Sequence, residues 1–275
     1  MSRAYAVLGR DVSRSLSPRL HTRAARALGV DLVYGARSCP TEADFLGALD
    51  DLRRGVLDGA NVTIPYKELA ARAASGLDPV AAEIGAVNCL TRTEAGALVG
   101  SNTDAPALLH LFAGLPEGAL DRVQILGSGG AARAAAWALR EAGAGAIRLV
   151  ARHPARALEV ARIAGAEVGP LAPWEGATLV VSALPPDPGL AAQALAQWIA
   201  VADRPQVYDL AYGALVEGST TPLIAFARAR SLAGTDGLAM LVEQAARAFA
   251  TWTGIPLPEV RIAMGPGFDT HPGEA

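Results

Sequence analysis

Val123-Gln124-Ile125-Leu126-Gly127-Ser128-Gly129-Gly130-Ala131-Ala132-Arg133 decides how this chain is read. Four residues of a buried strand run into a glycine turn, and an alanine-rich helix pattern follows over Arg133–Ala142. Gly127, Gly129 and Ala132 fit the fingerprint G-x-G-x-x-G/A, placed between a strand and a helix as dinucleotide binding requires. In that motif the first glycine permits the tight turn and the second lets the backbone approach a pyrophosphate. The small third residue allows close helix–strand packing, and the helix N-terminus supplies positive potential. Outward from the turn, strand and helix patterns alternate: Ile147–Ala151, Pro154–Ala164, Thr178–Ser182, Gly189–Ile199, Gln206–Leu210 and Thr221–Ala229. Such alternation predicts a doubly wound parallel sheet with helices on both faces.

The second strand of this unit is expected to end near Arg152. No Asp or Glu stands there to hold an adenosine ribose hydroxyl; Arg152 and Arg156 occupy the region instead. Two arginines favour a 2′-phosphate, and hence NADP over NAD.

Upstream, Ala4–Gly9 reads as a buried strand. Ser17-Pro18 opens a helix to Gly29, with Ser17 as the expected N-cap. Asp31–Arg37 is a second strand, and Thr41 with Asp44 resembles a capping box for a helix to about Arg54. Gly59–Thr63 is a strand that Pro65 stops, and Tyr66–Ala73 turns into helix. Ala86–Thr93 and Ala97–Gly100 read as a hairpin. Asn102-Thr103-Asp104 caps a helix to Ala113, with Asp104 itself a cap candidate. The segment Gly114–Gly118 is the natural place for a domain junction. The alanine-rich helix Leu238–Trp252 has no strand of its own to cover, so it is expected to pack back on the first domain.

Lys67 is the only lysine among 24 basic residues. Arginine is locked in its protonated form, whereas a lysine ammonium can give up its proton when buried or crowded. A lone lysine after Asn61-Val62-Thr63-Ile64-Pro65-Tyr66 is therefore a proton-transfer candidate, with a leftover surface cation as the bland alternative. A net charge of −3 leaves no basic footprint for nucleic acid or an anionic membrane. No uninterrupted apolar run approaches the roughly 18 residues of a membrane span, and the N-terminal apolar run is too short for a signal peptide. Cys39 and Cys89 form no CxxC pair, and the four histidines show no metal-ligand spacing. The expectation is a cytoplasmic protein acting on a small molecule, with no metal.

Six ordered stretches carry a family likeness: Ser15-Leu16-Ser17-Pro18, Asn61–Lys67, Gly85-Ala86-Val87-Asn88, Asn102-Thr103-Asp104, Gly127–Arg133 and Gly237–Gln244. In order and spacing the chain resembles the shikimate dehydrogenases. The resemblance implies an α/β protein of two domains with the active site in the cleft between them. Residues 1–104, completed by 238–275, would bind substrate, and 105–237 would form a Rossmann-type domain for NADP. Carried over by position, Lys67 and Asp104 match the catalytic pair, and Ser15 and Ser17 the carboxylate-binding serines. Thr63, Asn88 and Gln244 match holders of ring hydroxyls, and Tyr212 a tyrosine near the substrate. Gly127, Ser128, Gly129, Gly130, Ala131, Ala132, Arg152, Arg156 and Gly237 fall at cofactor positions. The implied reaction is the interconversion of 3-dehydroshikimate and shikimate by a monomer or homodimer. A paralogue acting on quinate or another cyclic hydroxy acid, perhaps with NAD, stays open, as does a regulatory cofactor-binding protein on the same fold. The family's Asn-Arg-Thr cofactor motif stands here as Ala151-Arg152-His153, which keeps only the arginine.

Overall fold

The computed structural model describes residues 2–213 and 220–265. In chain order the first elements are β1 (Arg3–Gly9), α1 (Ser17–Leu28), β2 (Leu32–Ser38), α2 (Glu42–Arg54), β3 (Gly59–Val62) and α3 (Lys67–Ala73). They continue with β4 (Gly76–Leu77), α4 (Pro79–Ile84), β5 (Cys89–Arg92), β6 (Leu98–Ser101), α5 (Asp104–Phe112), β7 (Arg122–Leu126), α6 (Gly130–Glu141) and β8 (Ala146–Val150). After these come α7 (Pro154–Ala164), β9 (Glu167–Val168), β10 (Leu179–Ser182), α8 (Pro188–Gln197), β11 (Gln206–Asp209) and α9 (Pro222–Arg228). The last are β12 (Gly234–Thr235), α10 (Leu238–Thr253) and α11 (Leu257–Met264). The chain divides into two compact units, between Ala107 and Leu108 and again between Met240 and Leu241. The first division falls inside α5 rather than in Gly114–Gly118, because a helix closes its hydrogen bonds locally and needs no glycine to leave one unit.

The first unit is built on a six-stranded sheet in the order β2-β1-β3-β5-β6-β4. Every neighbouring pair is parallel except those made by β5, which runs against both β3 and β6. The period of two along β1 sends Ala6 and Leu8 into one core cluster, with Phe45, Leu49 and Leu52 of α2. Tyr5 and Val7 go into the other, with Tyr34, Ala248 and Trp252. Trp252 seats α10 against this sheet: its ring stacks on Tyr5 at 4.5 Å and its Nε1 donates to the Leu90 carbonyl at 3.2 Å. Gly59 makes the room, since a Cβ there would lie 2.8 Å from Trp252 Nε1. Glu243 accepts from both Arg247 and Arg261, which clamps α11 to α10.

The second unit carries a parallel sheet in the order β12-β11-β10-β7-β8-β9. Counted from β7, this is the 3-2-1-4-5-6 order of the dinucleotide-binding fold, which reverses direction between β7 and β10. The expected α/β class and doubly wound sheet are thus present.

Several local expectations are corrected. Ser17 does not cap α1: the cap is Leu16, with no side-chain hydrogen bond, and Ser17 is the first helical residue. Asp104 opens α5 rather than capping it: the Thr103 carbonyl accepts the Ala107 N–H at 3.2 Å, and Asn102 Oδ1 accepts the Ala105 N–H at 2.9 Å. Helix α6 begins at Gly130, three residues before Arg133, because the glycine turn itself is its N-cap. The Thr41–Asp44 capping box is present, with both reciprocal bonds made.

His21 of α1 is fully buried, its ring stacked face to face on Tyr34 at 4.1 Å. Neither nitrogen has a partner in hydrogen-bonding geometry, though Asn61 lies close enough to offset part of the cost. Burial therefore pushes its pKa down to about 3. The folded chain holds this imidazole neutral, while the unfolded chain takes a proton below the ordinary value of 6.5. Its stability contribution is complete above that value and is lost as pH falls towards 3. Buried Asp209, raised to about 6, has the opposite sign, since what it contributes at low pH is lost as pH rises through 6. Comparing wild type with His21→Phe cancels Asp209, which both proteins share. Between about pH 7.5 and 4.5 the wild type should lose more unfolding free energy than His21→Phe, by up to roughly 1.4 kcal/mol per pH unit below 6.5. Parallel pH profiles in denaturant melts would contradict this.

Candidate active site

The reversal of β5 assembles the site. Because β5 runs against β3 and β6, its start lies beside their ends. Asn88, just before β5, therefore meets Thr63 after β3 and the Asn102-Thr103-Asp104 segment after β6. Backbone bonds hold this edge: Val62 N donates to the Asn88 carbonyl at 2.9 Å and Thr63 N to the Leu8 carbonyl at 2.8 Å. Carboxyl edges of parallel strands are where open α/β sheets bind ligands.

Lys67 is set by its neighbour. Tyr66 stacks on Phe45 at 4.5 Å, and its hydroxyl donates to the Cys39 carbonyl at 2.7 Å. The turn before it contains a cis Ile64–Pro65 bond and closes with Tyr66 N donating to the Thr63 carbonyl at 3.0 Å. Lys67 then opens α3 and sends its ammonium to Asp104, with Nζ 2.6 Å from Oδ2. The side chains are only 15 % and 5 % exposed, so the pair is largely shielded from solvent. The other carboxylate oxygen, Oδ1, accepts Asn88 Nδ2 at 2.9 Å. The same Nδ2 donates to Thr103 Oγ1 at 2.9 Å, and Asn88 Oδ1 accepts the Thr103 N–H at 2.7 Å. Gln244 of α10 completes the group, its Oε1 3.4 Å from Asn88 Nδ2 and its Nε2 donating to the Leu241 carbonyl at 2.8 Å.

Four residues singled out in the sequence (Lys67, Asp104, Asn88 and Gln244) therefore share one hydrogen-bonded cluster. Thr63 lies on the same edge, its methyl over Gly9, where a Cβ would collide with it. Ser15 and Ser17 stand at the start of α1. Ser15 Oγ accepts the Ser17 N–H at 3.3 Å, so Ser15 rather than Ser17 carries a helix-start bond. Asn102, Thr103 and Asn61 belong to the same network, although the sequence reading gave them no role in the site: Asn102 Nδ2 donates to the Ala86 carbonyl at 2.8 Å, and Asn61 Nδ2 to the Asn88 carbonyl at 3.1 Å. A run of amides beside strand ends was their one signal.

The second unit holds the remaining candidates. Gly127 has φ +117°, a conformation open to glycine, and a Cβ there would lie 3.1 Å from the Ala183 carbonyl oxygen. Gly129 has nothing within 4 Å of where its Cβ would be, so the backbone there can be approached. Helix α6 starts at Gly130 with no side-chain cap, which leaves its first N–H groups pointing at the turn. Ala132 is fully buried against the sheet. Ser128 and Ala131 complete a turn able to cradle a pyrophosphate. Arg152, exposed, follows the end of β8, and Arg156 lies in the first turn of α7. Gly237 packs against the Leu210 carbonyl with no room for a side chain and donates to the Ala211 carbonyl at 2.8 Å. Tyr212 follows β11. Among the described residues no cluster of His, Cys, Asp or Glu is placed to hold a metal, and no helix is long and apolar enough to cross a membrane.

Residues 7–90 match the family model of the shikimate dehydrogenase substrate binding domain, and residues 237–262 that of the shikimate 5′-dehydrogenase C-terminal domain. A shikimate dehydrogenase (NADP(+)) of Moorella thermoacetica is 38% identical, over 94% of this chain and 93% of that protein. The chain belongs to the shikimate dehydrogenase family. A solved family structure, the shikimate 5-dehydrogenase of Thermus thermophilus in complex with NADP(H) and shikimate, superposes with a TM-score of 0.78. It shares 35% identity, over 95% of this chain and 98% of that one. A quinate dehydrogenase from Corynebacterium glutamicum in complex with NAD has a TM-score of 0.76 at 26% identity, over 95% of this chain and 98% of that one.

Proposed function

We propose that this family member catalyses the reversible, NADP-dependent reduction of 3-dehydroshikimate to shikimate. The observation that carries the reading is the Lys67–Asp104 pair at 2.6 Å, embedded with Asn88 and Gln244 at the carboxyl edge of the first sheet. NADP, when bound, supplies or accepts the hydride. The cradle fits it: Gly127, Ser128, Gly129, Gly130, Ala131 and Ala132 at the uncapped start of α6 would take the pyrophosphate. Arg152 and Arg156 would take the 2′-phosphate, and Gly237 would lie on the nicotinamide side.

In the reductive direction Lys67 gives a proton to the oxygen at the redox carbon, and in the oxidative direction it takes one back. Asp104 holds the ammonium in place and neutralises it. Asn88 has both amide hydrogens committed, to Thr103 and Asp104, so it steadies the carboxylate and meets a ring hydroxyl only as an acceptor. Thr63 and Gln244 supply the remaining hydroxyl contacts. Ser15 and Ser17 receive the substrate carboxylate through neutral donors. The reaction belongs to a cytoplasmic monomer or homodimer, a setting that suits the free, buried thiols of Cys39 and Cys89.

Kinetics of Lys67 variants with shikimate and NADP, with quinate and NAD as comparison substrates, test this. Lys67→Arg should be nearly as damaging as Lys67→Ala, with a loss of roughly 10²–10⁴-fold in kcat, because arginine keeps the charge and cannot release the proton. An arginine variant within a few-fold of wild type would make Lys67 a binding charge only. For the cofactor, Arg152→Ala should cut the NADP-over-NAD preference in kcat/KM by roughly ten- to a hundredfold, the worth of a charge-assisted hydrogen bond. An unchanged preference would leave Arg152 a surface charge.

A further inference from the structure

Three stretches of the second unit end on one buried carboxyl. Asp209 closes β11 and is 2 % exposed, and its Oδ1 accepts the Ala211 N–H at 3.3 Å. The hydroxyls of Ser182 and Thr221, both buried, lie close enough to this carboxyl to lower its pKa. Ser182 ends β10, and its Oγ also accepts the Leu184 N–H at 3.4 Å. Thr221 caps α9, its Oγ1 accepting the Ile224 N–H at 3.3 Å. Each hydroxyl thus accepts from its own segment and has its hydrogen to give to Asp209. Beside the carboxyl lies a small cavity whose other walls, Leu184, Pro185, Pro186, Ala191 and Leu223, are apolar.

A carboxylate in such a setting is costly unless its donors are aligned. Burial raises its pKa and the three donors lower it, for a net value of about 6. Asp236, after β12, pushes the same way as burial. Strand β10 and helix α8 carry no ionisable side chain, and Arg228 of α9 sits in the last turn, at the opposite end from Thr221. Tyr208, next to Asp209 on β11, points to the other face and meets Phe112 edge-on. The carboxylate thus gathers the loop after β10, the turn after β11 and the start of α9. Those strand ends lie on the side of the switch point where the second half of a dinucleotide seats.

We propose that Asp209 is a positioning residue for the nicotinamide half of the cofactor, acting through the backbone at 182–184 and 209–212. This rests on the reading that the chain binds NADP. Protonation, or replacement by an amide, leaves one hydroxyl without an acceptor and loosens that half of the site, while the glycine turn and Arg152 keep the adenosine half.

Calorimetric binding of NADP and of 2′-phospho-ADP-ribose, which keeps the 2′-phosphate and the pyrophosphate and lacks only the nicotinamide, separates the halves. The ratio of the two affinities cancels the 2′-phosphate, which itself titrates near pH 6. Asp209→Asn should lower this ratio about tenfold at about pH 7.5, leaving 2′-phospho-ADP-ribose affinity within about twofold. The wild-type ratio should fall as pH drops from about 7.5 to 5 and the Asn variant's should stay flat, since the titrating group is gone. Ser182→Ala removes one donor and keeps the carboxyl, so its pH dependence should persist with the midpoint moved up; this variant carries the test if Asp209→Asn does not fold. A ratio unchanged in Asp209→Asn, or a flat wild-type ratio, overturns the proposal while the cofactor reading stands. Binding of neither ligand to wild type removes the cofactor reading and this inference with it.

Discussion

A lysine and an aspartate 2.6 Å apart, both largely withdrawn from water, are the constraint around which the first unit is arranged. Taking two charges out of water costs several kcal/mol per ion unless the geometry is good and the remaining oxygens find donors. Here Asn88 supplies the missing donor to Asp104, and Thr103 in turn fixes Asn88. That arrangement requires β5 to run backwards, because only then does Asn88 emerge beside the ends of β3 and β6. It also requires α10 to return, with Trp252 anchored on the Leu90 carbonyl, so that Gln244 reaches the cluster.

The second unit answers a different demand. Its strand order reverses beside a glycine turn that exposes backbone N–H groups, and there a side chain would obstruct rather than help. One unit therefore concentrates titratable and amide side chains, and the other keeps its phosphate cradle bare. Hydride chemistry on a polyhydroxy acid needs both: donors and acceptors matched to one small ring, and a surface for a long anionic cofactor that supplies the redox chemistry.

Much of this was legible because its signals are local. The glycine turn, the Thr41–Asp44 capping box, the Pro154 helix start and the lone Lys67 each act within a few residues. What was not legible depends on pairing across the chain. The two-residue strands β4, β9 and β12 are too short to show a period, and exist because a neighbouring strand offers an edge. Ser17 carries the residue type of an N-cap, yet the chain before it is already helical at Leu16, so the hydroxyl does not cap. Helix α4 could have been found: Asp78-Pro79 opens it with a side-chain cap, and Gly85 closes it in the left-handed conformation. Asn102 and Thr103 read as helix-capping residues, and only the fold shows them bonded to Ala86 and Asn88. The site residues named by family likeness still depended on that likeness for their roles; geometry adds that four of them touch.

If Lys67 and Asp104 work as one unit, a kinetic double-mutant cycle shows it. Turnover of shikimate with NADP would be compared for Lys67→Ala, Asp104→Ala, the double variant and wild type. Groups that act together are strongly non-additive, so the double variant should be no slower than the worse single variant, within about threefold. Losses that multiply, each mutation costing the same with or without the other, would contradict a joint role.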